Sequence, residues 1–183
     1  MGMASKTLMS IEQFDALPGK ETERYELDAG VLINVLASPS LFHNIIRDRL
    51  GMKLYAFVEA RKLGLVSWET DFQLSETTVR IPDLSFIRAE RLQGLDARER
   101  LRGAPDLAIE IASPSDKPDD LARKAQQYVT AGSRAVWVLY PEARLAYLYS
   151  PSGHIEVRDD TQSLDNPEML PGFSAALSEI FGA

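Results

Sequence analysis

The chain contains no cysteine, and this absence removes whole classes of site. Among its 183 residues there are also only two histidines and two tryptophans. Disulfides and thiolate metal sites are therefore excluded, and the sequence shows no Cys/His zinc spacing, no P-loop and no GxGxxG motif. The lack of cysteine fits a reducing compartment, so we expect a cytoplasmic protein.

Long apolar runs are missing as well. No window of the sequence approaches the roughly 20 apolar residues that span a bilayer, so we expect no membrane-spanning helix. Residues Met1–Ser10 hold one lysine and no apolar core. We therefore expect no signal peptide in this segment.

Positive charge is in deficit. Lysine and arginine number 20 against 27 aspartates and glutamates, which gives a net charge of −7. This balance disfavours a protein that coats nucleic acid, because phosphate binding needs clustered basic residues. It is compatible with a carboxylate-rich metal site, since a metal ion cancels local negative charge and basic residues can gather on one face. Length and composition predict a single globular domain over residues 1–183.

Local patterns along the chain predict an α/β fold. Helices are predicted at Ser10–Leu17 with Ser10 as N-cap, from about Ser40 to Leu63, at Asp119–Ala131 and at Ser174–Phe181. Strands are predicted at Tyr25–Leu27 and Val31–Leu36 (an N-terminal hairpin), Leu65–Trp68 with Phe72–Leu74 as its continuation, Thr78–Ile87, Leu107–Ala112, Ala135–Tyr140, Leu145–Tyr149 and Ile155–Val157. We expect the charged stretch Arg91–Gly103 to be irregular.

Three carboxylates stand out by their spacing. Asp83 and Asp106 each follow a proline, and Glu110 comes four residues after Asp106. Four residues of a strand span about 13 Å, at ~3.3 Å each. That is too far for one Mg²⁺, whose ligands lie at about 2.1 Å. Asp83 can lie on a neighbouring strand, so we predict that Asp83 and Glu110 hold one Mg²⁺ or Mn²⁺ ion. Side chains on opposite faces of the sheet would exclude this pairing.

Both carboxylates have a structural alternative. Strand alternation puts Glu110 between Ala108 and Ala112 on its own face, which leaves room for an ion. A carboxylate inside an isoleucine-rich strand is costly to bury without a partner. That partner could instead be a lysine or arginine across the sheet. For Asp83 the alternative is a turn residue after proline.

The predicted helix after this strand presents a lysine near the carboxylates. Asp120, Lys124 and Tyr128 recur at i, i+4 and i+8, so they lie roughly on one helical face. A lysine that enters a carboxylate site could orient or deprotonate an attacking water and stabilise charge on a phosphate. The alternative is a surface lysine paired with Asp120.

Several strings are ordered along nearly the whole chain as in one known family. They are Arg24-Tyr25-Glu26-Leu27, His43, Ile81-Pro82-Asp83-Leu84, Ala104-Pro105-Asp106-Leu107-Ala108-Ile109-Glu110-Ile111-Ala112-Ser113-Pro114-Ser115, Asp120…Lys124…Tyr128, Ala131-Gly132, Val136-Trp137-Val138 and Leu170-Pro171-Gly172-Phe173. Together they resemble the Uma-type family of restriction-endonuclease-like proteins, in the PD-(D/E)xK nuclease superfamily. The resemblance implies a mixed sheet flanked by helices, a divalent metal, and hydrolysis of phosphodiester bonds in DNA.

The resemblance also implies roles for two further residues. The superfamily motif places a lysine two residues after the acidic one, where this chain has Ala112. The family pattern suggests that Lys124 supplies the ammonium group instead. His43, at the head of the long helix, is either a participant at the rim of the site or a helix-start residue that bonds a nearby backbone group.

Two departures from the family pattern support a competing hypothesis. Val31 stands where the family usually has an acidic residue, although Glu26 remains as a catalytic candidate, and Tyr140 stands where an aspartate commonly precedes the proline. These departures favour a catalytically silent nucleic-acid-binding or assembly module with the same fold. A metal-dependent hydrolase of a smaller substrate is a third possibility.

The expected substrate also bears on assembly. A DNA duplex requires two phosphodiester cuts, and a chain this small offers one candidate site. Two-fold pairing is a simple solution, so we predict a homodimer.

Overall fold

The computed structural model of the chain describes residues 8–18, 23–35, 40–96 and 98–182. The helices are α1 (Ile11–Asp15), α2 (Leu41–Arg61), α3 (Ala89–Leu92), α4 (Pro118–Thr130) and α5 (Leu177–Phe181). The strands are β1 (Tyr25–Asp28), β2 (Val31–Asn34), β3 (Gly64–Trp68), β4 (Phe72–Ser75), β5 (Thr78–Arg80), β6 (Leu84–Arg88), β7 (Leu101–Arg102), β8 (Leu107–Ile111), β9 (Ala135–Tyr140), β10 (Leu145–Tyr149), β11 (Ile155–Asp159), β12 (Ser163–Leu164) and β13 (Ala175–Ala176).

The larger sheet has six strands in the order β11-β10-β9-β8-β6-β3. Strands β8 and β9 are parallel and are joined through α4, whereas the other neighbours are antiparallel. Alternation along β8 divides its side chains between two cores. Leu107, Ile109 and Ile111 pack with α2 and α5, and Ala108 packs with Leu121 and other residues of α4. The predicted two faces of this strand are confirmed.

A second sheet, ordered β2-β1-β5-β4-β7, contacts α4 through side chains such as Arg80 and Asp28. In its antiparallel pair β1 and β5, Leu27 lies opposite Val79, and both pack with Phe14 of α1. The next residues along each strand face the other way because side chains alternate. Arg80 accordingly meets Gln127 of α4, with its Nε 2.8 Å from Gln127 Oε1. Polar side chains thus line the space between this sheet and α4.

The predicted strand Thr78–Ile87 is wrong as a single element. It consists of β5 in the smaller sheet and β6 in the larger one, joined by a segment that contains Pro82. The N–H of Ile81 donates to the Glu26 carboxylate at 3.0 Å rather than to a strand. Proline has no N–H to offer a sheet, so the chain changes sheets there. The continuation of β3 into Phe72–Leu74 is also wrong, since β4 belongs to the smaller sheet.

The remaining boundaries differ in smaller ways. The predicted C-terminal helix begins at Leu177, because Ala175–Ala176 pair with Ser163–Leu164. Part of the stretch expected to be irregular forms the end of α3 and strand β7. Of the predicted hairpin, Leu36 lies outside the described residues. In the parts of the chain that the structure describes, no helix combines the length and apolar character needed to cross a membrane.

Candidate active site

A cleft of about 770 Å³ opens between α2, α4 and the strands β1 and β8. All five residues proposed from the sequence line it, namely Glu26, His43, Asp83, Glu110 and Lys124. They come from distant parts of the chain, and the fold brings them together.

Asp83 and Glu110 are cross-strand neighbours. Strands β6 and β8 are antiparallel, with Leu84 opposite Ile109. Continuing this register by one residue places Asp83 opposite Glu110, and opposing side chains of an antiparallel pair share a face. Both residues line the same cleft. The two side chains therefore lie on the same face of the sheet. The opposite-face arrangement, which would have excluded a shared ion, does not occur.

The Asp83 carboxylate is held by two partners. Its Oδ2 accepts a hydrogen bond from the N–H of Ile111 at 2.7 Å and lies 3.3 Å from Nε2 of His43. The same Nε2 lies 3.1 Å from the carbonyl oxygen of Ile111. Both neighbours accept, so Nε2 carries the proton. His43 is buried rather than at the rim, and it bonds a backbone group and a site carboxylate at once.

The electrostatics of His43 follow from this position. Burial lowers the pKa of His43, because the charged imidazolium loses water. The hydrogen bond and negative charge of Asp83, with the carbonyl of Ile111, act in the opposite direction and outweigh burial. The pKa of His43 therefore lies above its ordinary value.

Glu110 is buried inside strand β8, with only 4% of its surface exposed. The hydroxyl of Tyr128 donates to its Oε1 at 2.8 Å, and Nζ of Lys124 lies 3.5 Å from its Oε2. Burial raises the pKa of Glu110 to about 7. The positive charge of Lys124 opposes this rise, and the negative charges of Asp83 and Glu26 reinforce it. Glu110 thus lies in an environment short of positive charge.

Lys124 bridges two carboxylates. Its Nζ lies 3.0 Å from Oε1 of Glu26 as well as 3.5 Å from Glu110. The alternative interpretation of Lys124 as a surface partner of Asp120 is wrong, because its ammonium group pairs with Glu26 and Glu110, while Asp120 pairs with Arg123 at 3.1 Å. Burial lowers the pKa of Lys124, but the two carboxylates raise it by more, so the ammonium group stays charged.

Sequence reasoning missed Arg80, which is 1% exposed. Its Nη1 donates to Oε2 of Glu26 at 2.8 Å, and its Nη2 forms an ion pair with Asp28 at 2.9 Å. Burial raises the pKa of Glu26, but the charges of Lys124 and Arg80 lower it by more. The register of β1 and β5 would have indicated this pair, since it places Glu26 opposite Arg80.

The mouth of the cleft carries two further arginines that the sequence did not single out. Arg24 and Arg47 both line the cleft, and both contact the carboxylate of Glu69. Their positions in sequence, before a strand and within a long helix, gave no sign that they converge.

Asp106 does not belong to this cleft. It is buried at the start of β8, with its Oδ1 2.9 Å from Nε of Arg88 and its Oδ2 3.2 Å from Nη1 of Arg91. The choice of Asp83 over Asp106 as the partner of Glu110, made from strand spacing, agrees with this placement.

The comparisons with known proteins fit this geometry. A family model named Uma2, described as "Putative restriction endonuclease", matches residues 11–178. The chain belongs to the Uma2 family. A crystal structure described as that of a "putative nuclease belonging to DUF820", from Anabaena variabilis, superposes with a TM-score of 0.83 at 19% identity, covering 94% of this chain and 97% of the other. No protein among the curated sequences matches.

The structural match confirms the predicted fold class, a mixed α/β fold with a restriction-endonuclease-like arrangement. The strings that carried the Uma2 resemblance also converge in space. Glu26 from the first string, Asp83 from the third and Glu110 from the fourth line one cleft, which Lys124 enters from α4. Members of restriction-endonuclease-like families generally use divalent metals.

The residues of this Uma2 cleft fit a hard divalent cation. Among the described residues, no three histidine, aspartate or glutamate side chains form a ready-made metal cluster. Mg²⁺, however, is commonly bound through one or two carboxylates, with water and substrate phosphate completing the shell. Asp83 and Glu110 supply two carboxylates, and the raised pKa of Glu110 shows that a nearby cation would stabilise its charged form.

Proposed function

We propose that the protein is an Mg²⁺- or Mn²⁺-dependent endonuclease that hydrolyses phosphodiester bonds in DNA at this cleft. The observation that carries the proposal is the placement of Asp83 opposite Glu110 on one side of the sheet, with the Lys124 ammonium group 3.5 Å from Glu110. Membership of the Uma2 family supports it.

Each residue has a distinct part in the proposed reaction. Asp83 and Glu110 would hold the metal, and the bound ion would polarise the phosphate and lower the pKa of the attacking water. Lys124 is held charged by its two carboxylates. It therefore acts as a hydrogen-bond donor that orients the water and stabilises negative charge on the phosphate, rather than as a base.

Three further side chains fix the geometry of these groups. His43 holds the Asp83 carboxylate, and Tyr128 holds that of Glu110. Glu26 anchors the ammonium group of Lys124 at 3.0 Å. Such orientation matters because a misplacement of about 1 Å can cost a hundredfold in rate.

The test combines cleavage with metal binding. Plasmid DNA is incubated with the protein and Mg²⁺ or Mn²⁺, and Mn²⁺ binding is measured by calorimetry without DNA. We expect Asp83→Asn and Glu110→Gln to abolish both cleavage and Mn²⁺ binding. Glu59→Gln, an exposed carboxylate of α2 outside the cleft, should change neither. Absence of cleavage by the parent protein, or intact Mn²⁺ binding in both cleft variants, would contradict the proposal.

The silent module remains the second candidate. The observation that favours it is the lack, among the described side chains, of three acidic or histidine residues grouped as a complete metal cluster. The calorimetric titration of the parent protein distinguishes the two. Carboxylate-dependent Mn²⁺ binding supports the nuclease, whereas DNA binding without any metal binding supports the silent module.

We further propose that the chain acts as one domain that pairs into a homodimer, so that two clefts can cut both strands of a duplex. Sedimentation at micromolar concentration should give the mass of a dimer. A monomer that cleaves only one strand would contradict the pairing and leave the proposed chemistry intact.

A further inference from the structure

Arg24, Arg47 and Glu69 meet at the mouth of the cleft although they come from three separate elements. Arg24 directly precedes β1, Arg47 lies on α2, and Glu69 follows β3. Oε1 of Glu69 lies 2.7 Å from Nη1 of Arg24 and 3.0 Å from Nη1 of Arg47. Two guanidinium groups therefore point at a single anionic oxygen.

The position of Glu69 is fixed relative to the proposed metal ligand. Its backbone N–H donates to the carbonyl oxygen of Asp83 at 3.3 Å, and its φ of +50° lies in the left-handed region, which is uncommon for a residue other than glycine. Both arginines contact Glu69, so their position relative to Asp83 is fixed through this residue.

We propose that Arg24 and Arg47 form a phosphate clamp that binds a backbone phosphodiester neighbouring the one that is cut, and that the Glu69 carboxylate occupies the clamp until nucleic acid displaces it. The inference rests on the proposed nuclease function for the identity of the ligand. A carboxylate oxygen held by two guanidinium groups stands where a phosphate oxygen would be held, because the arginine fork binds both anions in the same way.

The exposure of these side chains and the number of their N–H donors support replacement of the Glu69 carboxylate by a phosphate. The side chains of Arg24, Arg47 and Glu69 are 44%, 14% and 26% exposed. The Arg24–Glu69 ion pair is the more open of the two to solvent, and exposed ion pairs contribute little free energy, so a ligand can replace it. Each guanidinium carries five N–H donors. Besides the Glu69 carboxylate, Arg24 Nη2 donates to the Glu69 carbonyl oxygen at 3.4 Å and Arg47 Nε donates to Asp48 at 3.0 Å, and these contacts use fewer than five donors on either group.

The test measures binding without cleavage. A short fluorescein-labelled DNA duplex is titrated with the full chain in EDTA, and anisotropy is followed over a series of NaCl concentrations. Arg24→Gln and Arg47→Gln should each weaken binding several-fold and reduce the slope of log affinity against log salt by about 0.9, the value of one lost phosphate contact. Glu69→Gln should tighten binding several-fold, because the competing anion is gone.

The controls separate the clamp from general charge effects and from misfolding. Arg61→Gln removes the same charge from an exposed position on the same helix α2, outside the cleft, and should change affinity much less. Tighter binding by Glu69→Gln cannot result from a damaged fold. Equal loss in Arg47→Gln and Arg61→Gln, unchanged or weaker binding in Glu69→Gln, or no binding by the parent overturns the clamp. Arginine-dependent binding by a parent that never cleaves overturns only the nuclease.

Discussion

Glu110 lies within β8 and Asp106 directly precedes that strand, and the surroundings of these two buried acids are opposite. Asp106, 2% exposed, accepts from the backbone N–H and Nε of Arg88 and from Nη1 of Arg91. Arg134 approaches it at 3.8 Å. Three positive side chains thus surround one carboxylate, so the fold itself supplies its ion-pair partners.

Glu110 has the reverse balance. Lys124 approaches one of its oxygens at 3.5 Å, while the negative charges of Asp83 and Glu26 help to raise its pKa to about 7. A buried acid with surplus cations is fully stabilised by the fold. A buried acid among other acids gains stability when a cation arrives, as expected of a metal ligand. The two acids of the Ala104–Ser115 string, only four residues apart, therefore belong to different kinds of site.

Among changes that keep both proposed metal ligands, the largest effect should come from removing the Lys124 ammonium group beside Glu110. Lys124→Ala should lower metal-dependent cleavage by about 10²–10⁴-fold, the usual range for one donor or proton-transfer group in a transition state. Mn²⁺ binding should persist, because both carboxylates remain and a competing cation is gone. Calorimetry and a cleavage assay on the same variant measure the two effects.

Lys124→Arg sharpens this test. A guanidinium is bulkier and cannot sit between Glu26 and Glu110 as a compact point charge, so it should rescue cleavage poorly. If Lys124→Ala cleaves as fast as the parent, the lysine only neutralises Glu26, and His43 becomes the next candidate for the catalytic group.

For Asp106, by contrast, Asp106→Asn should lower the free energy of unfolding and leave Mn²⁺ binding and cleavage unchanged. Loss of this charge leaves Arg88 and Arg91 without their carboxylate, and breaking a buried ion pair typically costs about 3–5 kcal/mol. The partial exposure of both arginines puts the expected loss near the lower end. Urea unfolding measures it. A variant as stable as the parent, or one that has lost Mn²⁺ binding, would erase the contrast between the two acids.

Sequence reasoning recovered the elements around β8 well, because strong apolar patterns determine them. The strands β9 and β10 and the helix α4 lie within one or two residues of their predicted positions. Periodicity failed where the chain changes sheets, at Pro82 and between β3 and β4. Apolar and polar residues alternate in the same way in strands of either sheet. A period of two residues therefore cannot show which sheet a strand joins.

The candidate residues were identified more easily than their partners. Spacing excluded Asp106 as a co-ligand of Glu110, and the missing lysine at Ala112 directed attention to Lys124. Arg80 stayed hidden because its role depends on the register of β1 against β5, which is a long-range property. Local patterns report which face a residue occupies but not what lies across from it.

The raised pKa of Glu110 predicts a pH dependence of stability. Its folded-state pKa of about 7 exceeds the ordinary value of 4.5, so the folded protein keeps a proton that the unfolded chain releases. The free energy of unfolding should therefore fall as pH rises from about 4.5 to 7, by at most about 3 kcal/mol. Glu110→Gln should flatten this fall. Urea unfolding at several pH values measures the difference between the two proteins.

The titration of His43 also changes stability with pH, but it does so in both proteins. Its raised pKa contributes stability that is fully present below 6.5 and is lost as pH rises through the folded-state value. Because both the parent and Glu110→Gln contain His43, this contribution largely cancels when their free energies of unfolding are subtracted. Added Mn²⁺ should restore stability to the parent most strongly at higher pH, where Glu110 is ionised. Identical pH profiles for parent and Glu110→Gln would show that the carboxyl titrates normally.

The smallest effect should come from the hydroxyl of Tyr128. It donates to Oε1 of Glu110 at 2.8 Å and lowers the pKa of that carboxyl. Tyr128→Phe keeps the buried ring and removes only the donor, so the pKa of Glu110 should rise further. The pH of half-maximal Mn²⁺ binding should then move upward by up to about one unit, since one unit corresponds to about 1.4 kcal/mol, the order of a single hydrogen bond.

Tyr147→Phe is the matched change outside the carboxylate site. Tyr147 packs against the same core as α4 and contacts the ring of Tyr140, with centroids 5.1 Å apart. It should leave the pH of half-maximal Mn²⁺ binding where it is in the parent. If both phenylalanine variants move this pH equally, Tyr128 contributes packing alone. If only Tyr128→Phe does so, the hydroxyl tunes Glu110 toward the charged form that a metal requires.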